Sequence, residues 1–219
     1  MSGAGALSEL VEITLRSLFV SGSATLVAAL FGLPLGLWLG ARGRPQRLAA
    51  SLLYAGMGLP PVVVGLFFYF LFSRSGPLGE LGLLYTIPGM VVAESVLAFP
   101  LIAGFAMTGV AVKAEPVRRL VRSLGGGELQ VYLTLLAESR RVVVAALAAG
   151  FGAVISEVGA VTIVGGDIRH ATRVLTTAVV IETRKGELER AAALGGVLLG
   201  VTLVVTAVMV LFGEGSRSD

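Results

Sequence analysis

Two glutamates stand alone inside long apolar stretches: Glu94, in the run that follows Pro88, and Glu157, in Ile155-Ser-Glu-Val-Gly159. A charged side chain at the centre of a bilayer costs about 2.5–3.5 kcal/mol, so such a group persists for a purpose. The purpose is either a proton relay or a structural hydrogen bond. A relay usually needs more than two such groups, which favours hydrogen bonding. For Glu157 the partners would be an arginine of the 165–186 segment or backbone donors freed at a helix break. Hydroxyls at Thr162, Thr176 and Thr177 are candidate donors to an anion. Arg169, His170 and Arg173 form either a basic rim that gathers anions or a solvated loop balanced by nearby acids. His170 is the only histidine and cysteine is absent, which excludes a histidine-based metal centre, thiolate sites and disulfides. No Gly-x-x-x-x-Gly-Lys-Ser/Thr loop, Gly-x-Ser-x-Gly elbow or His-Glu-x-x-His pair occurs. The chain therefore reads as a non-enzyme, and any ATP-driven step needs a second chain.

The elements that hold these residues are apolar and long. Hydrophobic residues make up 55% of the chain and charged residues 14%, against about 25% charged in soluble domains. Mean hydropathy is +0.90. No charge occurs from Ser17 to Ala41 or from Leu48 to Ser73, and about 20 residues suffice to cross the hydrocarbon layer. The expectation is an all-α integral membrane protein, one domain over 1–219. Five spans are expected, near 17–41, 48–73, 83–112, 142–166 and 191–213, with a loop at 113–141 between the third and fourth. Glu9, Glu12 and Arg16 precede the first run, which is too long for a signal core and is read as a span. Val174 to Ile181 is too short to span and long enough for a half-helix that dips into the membrane.

Prolines at Pro34, Pro60-Pro61 and Pro100 each remove a backbone donor, and discontinuous helices often line transport pathways. Ordinary kinks are the alternative. Met57-Gly-Leu-Pro-Pro-Val-Val-Val-Gly65 is the best candidate for a shaped helix, so Pro60 and Pro61 join Glu157 and the three threonines as pathway or gate candidates. Of the 30 glycines, Gly32, Gly36 and Gly40 share one helix face, as do Gly196 and Gly200. Such faces let backbones approach closely in lipid. Packing within one chain is the simpler reading, and a seam between two copies is the other.

The net charge of +3 resides mostly at span ends, so it speaks of topology and not of nucleic acid. Arg42, Arg44 and Arg47 in the first loop join Lys113, Arg118, Arg119, Arg122, Arg140 and Arg141 in the third. These nine outweigh the six basic residues of the other two loops. Loops one and three are expected to be cytoplasmic, with the N-terminus outside and the C-terminus inside.

The third loop carries a resemblance. Arg119-Leu-Val-Arg-Ser-Leu-Gly125, nine further residues, then Leu135-Leu-Ala-Glu138 resembles the coupling loop of binding-protein-dependent ABC transporter permeases. Their usual pattern is Glu-Ala-Ala, three residues, Gly, nine residues, Ile-x-Leu-Pro. Here the glycine and the hydrophobic residue at the isoleucine place match, while Arg119-Leu120-Val121 and Ala137-Glu138 depart from it. Gly58-Leu-Pro-Pro-Val-Val-Val-Gly65, Ser73-Arg-Ser-Gly-Pro-Leu-Gly79, Leu81-Gly-Leu-Leu-Tyr-Thr86, Ile155-Ser-Glu-Val-Gly-Ala160 and Arg173-Val-Leu-Thr-Thr177 are similar to the tungstate-type subfamily, over roughly residues 10–213. The resemblance implies the permease subunit of an importer in the inner (cytoplasmic) cell membrane. It moves an oxyanion, tungstate first and molybdate or sulfate as alternatives. It also implies a homodimer, an extracytoplasmic binding protein, and two cytoplasmic ATPase subunits that bind the ATP, so this chain needs no cofactor. Leu120, Val121, Leu124, Gly125, Gly126 and Glu128 would form a short coupling helix and its turn, bent sharply at Gly125. Rival readings are an ion-coupled secondary transporter and a membrane scaffold subunit.

Overall fold

A computed structural model describes residues 3–42 and 47–214. Arg44, one of the first-loop arginines, lies outside the described residues. The described chain is helical: α1 (Gly3–Ala41), α2 (Arg47–Met57), α3 (Pro61–Phe72), α4 (Ile87–Ser123), α5 (Glu128–Glu138), α6 (Arg140–Ile155), α7 (Gly159–Gly165), α8 (Leu175–Arg184) and α9 (Leu188–Glu214), with one 3-10 turn at Gly79–Leu81. Three helices, α1, α4 and α9, are long and apolar enough to cross a membrane. The count reaches five if α2 with α3, and α6 with α7, are each one bent span.

The centre of the molecule is the α1–α4 pair, which runs parallel. Gly32 faces Phe99 and Ala103, Gly36 faces Ala103 and Ala106, and Gly40 faces Met107 and Val110. A Cβ on Gly36 would lie 2.8 Å from that of Ala106, and one on Gly40 2.9 Å from that of Val110. The glycine face thus seats one backbone on the other, which is how helices gain contact where lipid is as apolar as they are. The buried Ala98, Ala103 and Ala106 keep the α4 side equally slim. α6 returns antiparallel, with Val142 against Gly109 and Ile102 against Gly150.

The two ends of this bundle are distinct. At one, an Arg118 amino group donates to the Ala41 carbonyl at 2.8 Å, joining the end of α1 to the end of α4. At the other, Arg16 donates to the Arg173 carbonyl at 2.9 Å, joining the start of α1 to the 166–174 segment.

Several expected elements change shape. α1 starts well before residue 17, because Glu9, Glu12 and Arg16 are helical residues with partners across the fold. α4 starts at Ile87, where the Thr86 hydroxyl accepts from Gly89 N–H at 3.3 Å, and continues past residue 112 to Ser123. Of the prolines, Pro34, Pro100 and Pro116 lie inside continuous helices, contrary to the expected breaks at the first and third. Pro100 is buried in protein while Pro34 and Pro116 are exposed, and each helix runs on past its one missing donor. Only the Pro60-Pro61 doublet interrupts a span.

The glycines of α9 differ from those of α1. A Cβ on Gly196 or Gly200 would meet nothing within 4 Å, so packing within one chain holds for the first stripe and not for this one. α9 joins the bundle through Leu194, Val197 and Leu198, which pack on Ile13, Leu175 and Ala178.

Candidate functional site

The first candidate region is where two sharply bent helix pairs meet. α2 and α3 are bent by 92° across residues 58–60. Pro60 is extended (φ −66°, ψ 121°), because a residue before proline is driven from the helical region. Pro61 then begins α3 at the first helical position, where its missing N–H costs nothing. The Pro60 carbonyl accepts from Val63 and Val64, at 2.9 and 3.1 Å. α6 and α7 are bent by 59° at residues 156–158. There the buried Glu157 carboxylate accepts from Ala160 N–H, at 2.9 and 3.1 Å to its two oxygens, and from Val161 N–H at 3.2 Å. It satisfies donors that the break leaves without partners, which is the freed-backbone alternative. The arginine alternative does not hold: Arg169 and Arg173 bind Glu9 and Asp167.

The two breaks are held together by glycines. A Cβ on Gly65 of α3 would lie 2.7 Å from the Ala160 Cα, and one on Gly159 2.7 Å from Val62 Cγ2. Pro60, Pro61, Glu157 and Thr162 are therefore one region. Pro60, Pro61 and Thr162 are exposed, and the Thr162 hydroxyl is bonded back to the Val158 carbonyl at 2.6 Å. Behind them lies Glu94, only 2% exposed, beside Ser21 of α1 and facing Glu157. Its Oε2 is buried without a hydrogen-bond partner, and among the described residues neither Glu94 nor Glu157 has an ion-pair partner.

Thr176 and Thr177 belong elsewhere. Both are buried at the start of α8. Thr177 Oγ1 accepts from Val174 N–H at 3.1 Å and donates to the Val174 carbonyl at 3.0 Å. The neighbouring Leu175 N–H donates to Ser17 of α1 at 2.8 Å. Thr177 thus caps the helix, and Thr176 is buried beside it. The nearby bases are occupied too. Arg169 binds Glu9 at 2.6 Å, His170 meets Glu12 at 2.9 Å, and Arg173 binds Asp167 at 3.0 Å. The solvated-loop reading fits better than the basic rim, with its acids coming mainly from α1. Sequence reasoning did not single out Glu9, Glu12 and Ser17. Their signal was polar residues at helical spacing just ahead of an apolar run.

The second region is the 113–141 segment, a helical hairpin more than a loop. The expected separate coupling helix is the last turn of α4, Leu120–Ser123. Gly125 N–H donates to the Arg122 carbonyl at 3.0 Å and Gly126 N–H to that of Val121 at 2.8 Å. This pair of bonds closes a helix end through a left-handed residue, here Gly125 with φ +80°. Gly127 N–H donates to Gln130 Oε1 at 2.9 Å, opening α5. Val121, Val131 and Leu135 pack beneath on Leu37, Val110 and Ala114.

Four of the six basic residues of the hairpin have internal work. Lys113 donates to the Glu138 carbonyl, Arg118 to Ala41, Arg119 pairs with Glu115, and Arg122 pairs with Glu128. The hydrogen bond from Arg122, with the charges of Arg118 and Arg122, holds the Glu128 carboxyl below the usual range. At the tip Leu120, Leu124 and Leu129 are 58%, 80% and 72% exposed. A turn fixed from within and apolar without suits docking better than catalysis. Among the described residues no cluster of three His, Cys, Asp or Glu is arranged for a metal ion.

Comparison with known proteins follows the same lines. A family profile described as "Binding-protein-dependent transport system inner membrane component" matches residues 32–215. The chain is 40% identical over 214 residues to a probable anion ABC transporter permease protein of Haloferax volcanii, covering 95% of this chain and 92% of that one. It is 38% identical over 202 residues to the tungstate uptake system permease protein TupB of Peptoclostridium acidaminophilum, covering 92% and 89%. A chain of the MetNI methionine ABC transporter, solved in inward-facing conformations, has the same fold, with a TM-score of 0.71 at 17% identity over 98% of this chain and 96% of that one.

Proposed function

We propose, on the premise that this chain belongs to the binding-protein-dependent transport system inner membrane component family, that it imports an oxyanion, with tungstate first and molybdate or sulfate as alternatives. The observation that carries this is the near full-length likeness to permeases named for an anion and for tungstate. The permease works as a homodimer by alternating access in the cytoplasmic membrane. Its 113–141 hairpin faces the cytoplasm and its N-terminus the outside. Nine basic residues in loops one and three support that orientation.

Leu120, Val121, Leu124, Gly125, Gly126 and Glu128 form the docking end for a cytoplasmic ATPase. Leu120 and Leu124 enter the partner's groove, while Val121 anchors the turn to the bundle. Gly125 and Gly126 set its angle, and the Arg122–Glu128 pair stiffens it. The region around Pro60, Pro61, Glu157 and Thr162 is the gate, since two half-helices that begin side by side move together when either span reorients. Thr177 is spent on capping α8 and Thr176 is buried beside it, so neither belongs to the gate. An extracytoplasmic binding protein delivers the anion at the opposite end of the bundle.

Energetics require a driven step. A dianion entering a cell with a negative interior opposes about 2.3 kcal/mol per charge per 100 mV, so about 4.6 kcal/mol. A hundredfold accumulation adds about 2.7 kcal/mol.

The test is ATP hydrolysis by the permease–ATPase assembly in lipid, with binding protein alone or loaded with tungstate, molybdate or sulfate. Stimulation by one loaded form supports the importer and names its substrate. No stimulation from a properly assembled complex overturns it in favour of the ion-coupled or scaffold readings.

A further inference from the structure

A lengthwise cleft follows α1 and α4 on the side away from α6. Its deeper part, about 420 Å³, is walled by Leu35 and Trp38 of α1, Leu52 of α2, and Val96 and Phe99 of α4. Val96 and Phe99 also wall a second hollow of about 340 Å³, which extends the cleft to Val27 and Phe31. From Val27 to Trp38 the cleft follows α1 for about 17 Å at 1.5 Å per residue, close to half of a hydrocarbon core about 30 Å thick. Its length is that of one leaflet.

The walls offer nothing to a polar guest. Ser95 brings a hydroxyl, and that hydroxyl donates to the Val91 carbonyl at 2.6 Å. The rim at the end of α1 is basic. The Arg42 guanidinium sits over the Trp38 ring at 3.6 Å and has no acidic partner among the described residues. Tryptophan is typical of the headgroup level, and a stacked guanidinium keeps its donors for a phosphate.

We propose that this cleft holds one acyl chain of a phospholipid from the leaflet at the C-terminal end of α1, with the lipid phosphate bound at Arg42. The inference uses only the fact that the chain lies in a bilayer and is independent of what it transports. Leu59 also lines the deeper hollow, one residue before the Pro60 break, so the lipid tail rests against the bend of α2 and α3.

The experiment places the full chain in nanodiscs with phosphatidylglycerol or phosphatidylcholine that carries a photoactivatable group in the acyl chain, and maps the labelled residues. Labelling at Leu52, Val96 and Phe99 is expected to exceed that at the lipid-facing Leu203 and Leu211 of α9 by about fivefold. Val96→Phe fills the cleft and should cut labelling at Leu52 by about fivefold. Arg42→Gln, on the exposed rim, should weaken labelling by phosphatidylglycerol about fivefold, as expected for about 1 kcal/mol per basic residue at an anionic surface, and labelling by phosphatidylcholine, which carries the phosphate without the net charge, to a lesser extent. Labelling no stronger than on α9, or insensitive to both substitutions, overturns the proposal. So does disulfide trapping of Leu52→Cys between two copies, which would put protein in the cleft.

Discussion

The two bent helix pairs are broken by opposite chemistry. At residues 58–60 the chain removes donors: Pro60 and Pro61 bring no N–H, and the new helix starts where none is missed. At residues 156–158 it supplies an acceptor, the Glu157 carboxylate, to N–H groups that an ordinary break would leave bare. The first device needs no charge and gives a bend of 92°; the second buries an acid and gives 59°. A doublet of prolines cannot re-form a continuous helix, whereas a carboxylate can release its donors. The two breaks therefore differ in what holds them: absent donors at one, and satisfied donors at the other.

The contrast can be broken at the glycine contact. Gly65→Val places a side chain against the Ala160 backbone, with a Cβ 2.7 Å from its Cα. Overpacking of this kind costs about 1–3 kcal/mol or more, so folded yield and thermal midpoint should drop sharply. A variant as stable as the parent would mean that the two breaks do not touch.

Next comes Glu157→Ala, which strands two buried donors at about 1–3 kcal/mol each. Glu157→Gln keeps an acceptor and should recover most of the thermal midpoint. Equal loss in both would assign the role to charge instead of acceptance.

A third way of turning a helix, by a left-handed glycine, sharpens the comparison. Gly125→Val forces φ +80° on a branched residue, at about 1–2 kcal/mol. The bundle should survive while ATP hydrolysis is uncoupled from transport; coupled transport at the parental rate would remove the hairpin from the coupling path. The smallest effect belongs to Pro60→Ala with Pro61→Ala. Restoring donors should change stability by no more than about 1 kcal/mol yet alter the bend, which a distance measurement between labels on α2 and α3 would detect.

Much of this was legible from local chemistry. The proline doublet announced its bend, the Gly125 turn followed from glycine's conformational freedom, and Glu157 had freed backbone donors as one of its two named options. What stayed hidden depends on partners far along the chain. Glu9 and Glu12 looked like the flank of a span because their partners Arg169 and His170 lie about 160 residues away. Lys113 and Arg118 looked like surface charge, yet each caps another helix. Gly32, Gly36 and Gly40 share their spacing with Gly196 and Gly200. Spacing states that a face is slim and says nothing about who fills it.

α1 is gripped at two points by a guanidinium bonded to a main-chain carbonyl, Arg16 to Arg173 a third of the way along and Arg118 to Ala41 at its end. Its 39 residues make a rod about 58 Å long at 1.5 Å per residue. Clamped in this way it can act as a lever arm: over the roughly 38 Å between the two clamps a tilt of roughly ten degrees moves the far one through about 6–7 Å. A push on the hairpin is therefore felt at the 166–174 segment as one stroke, with no signal passed from residue to residue in between.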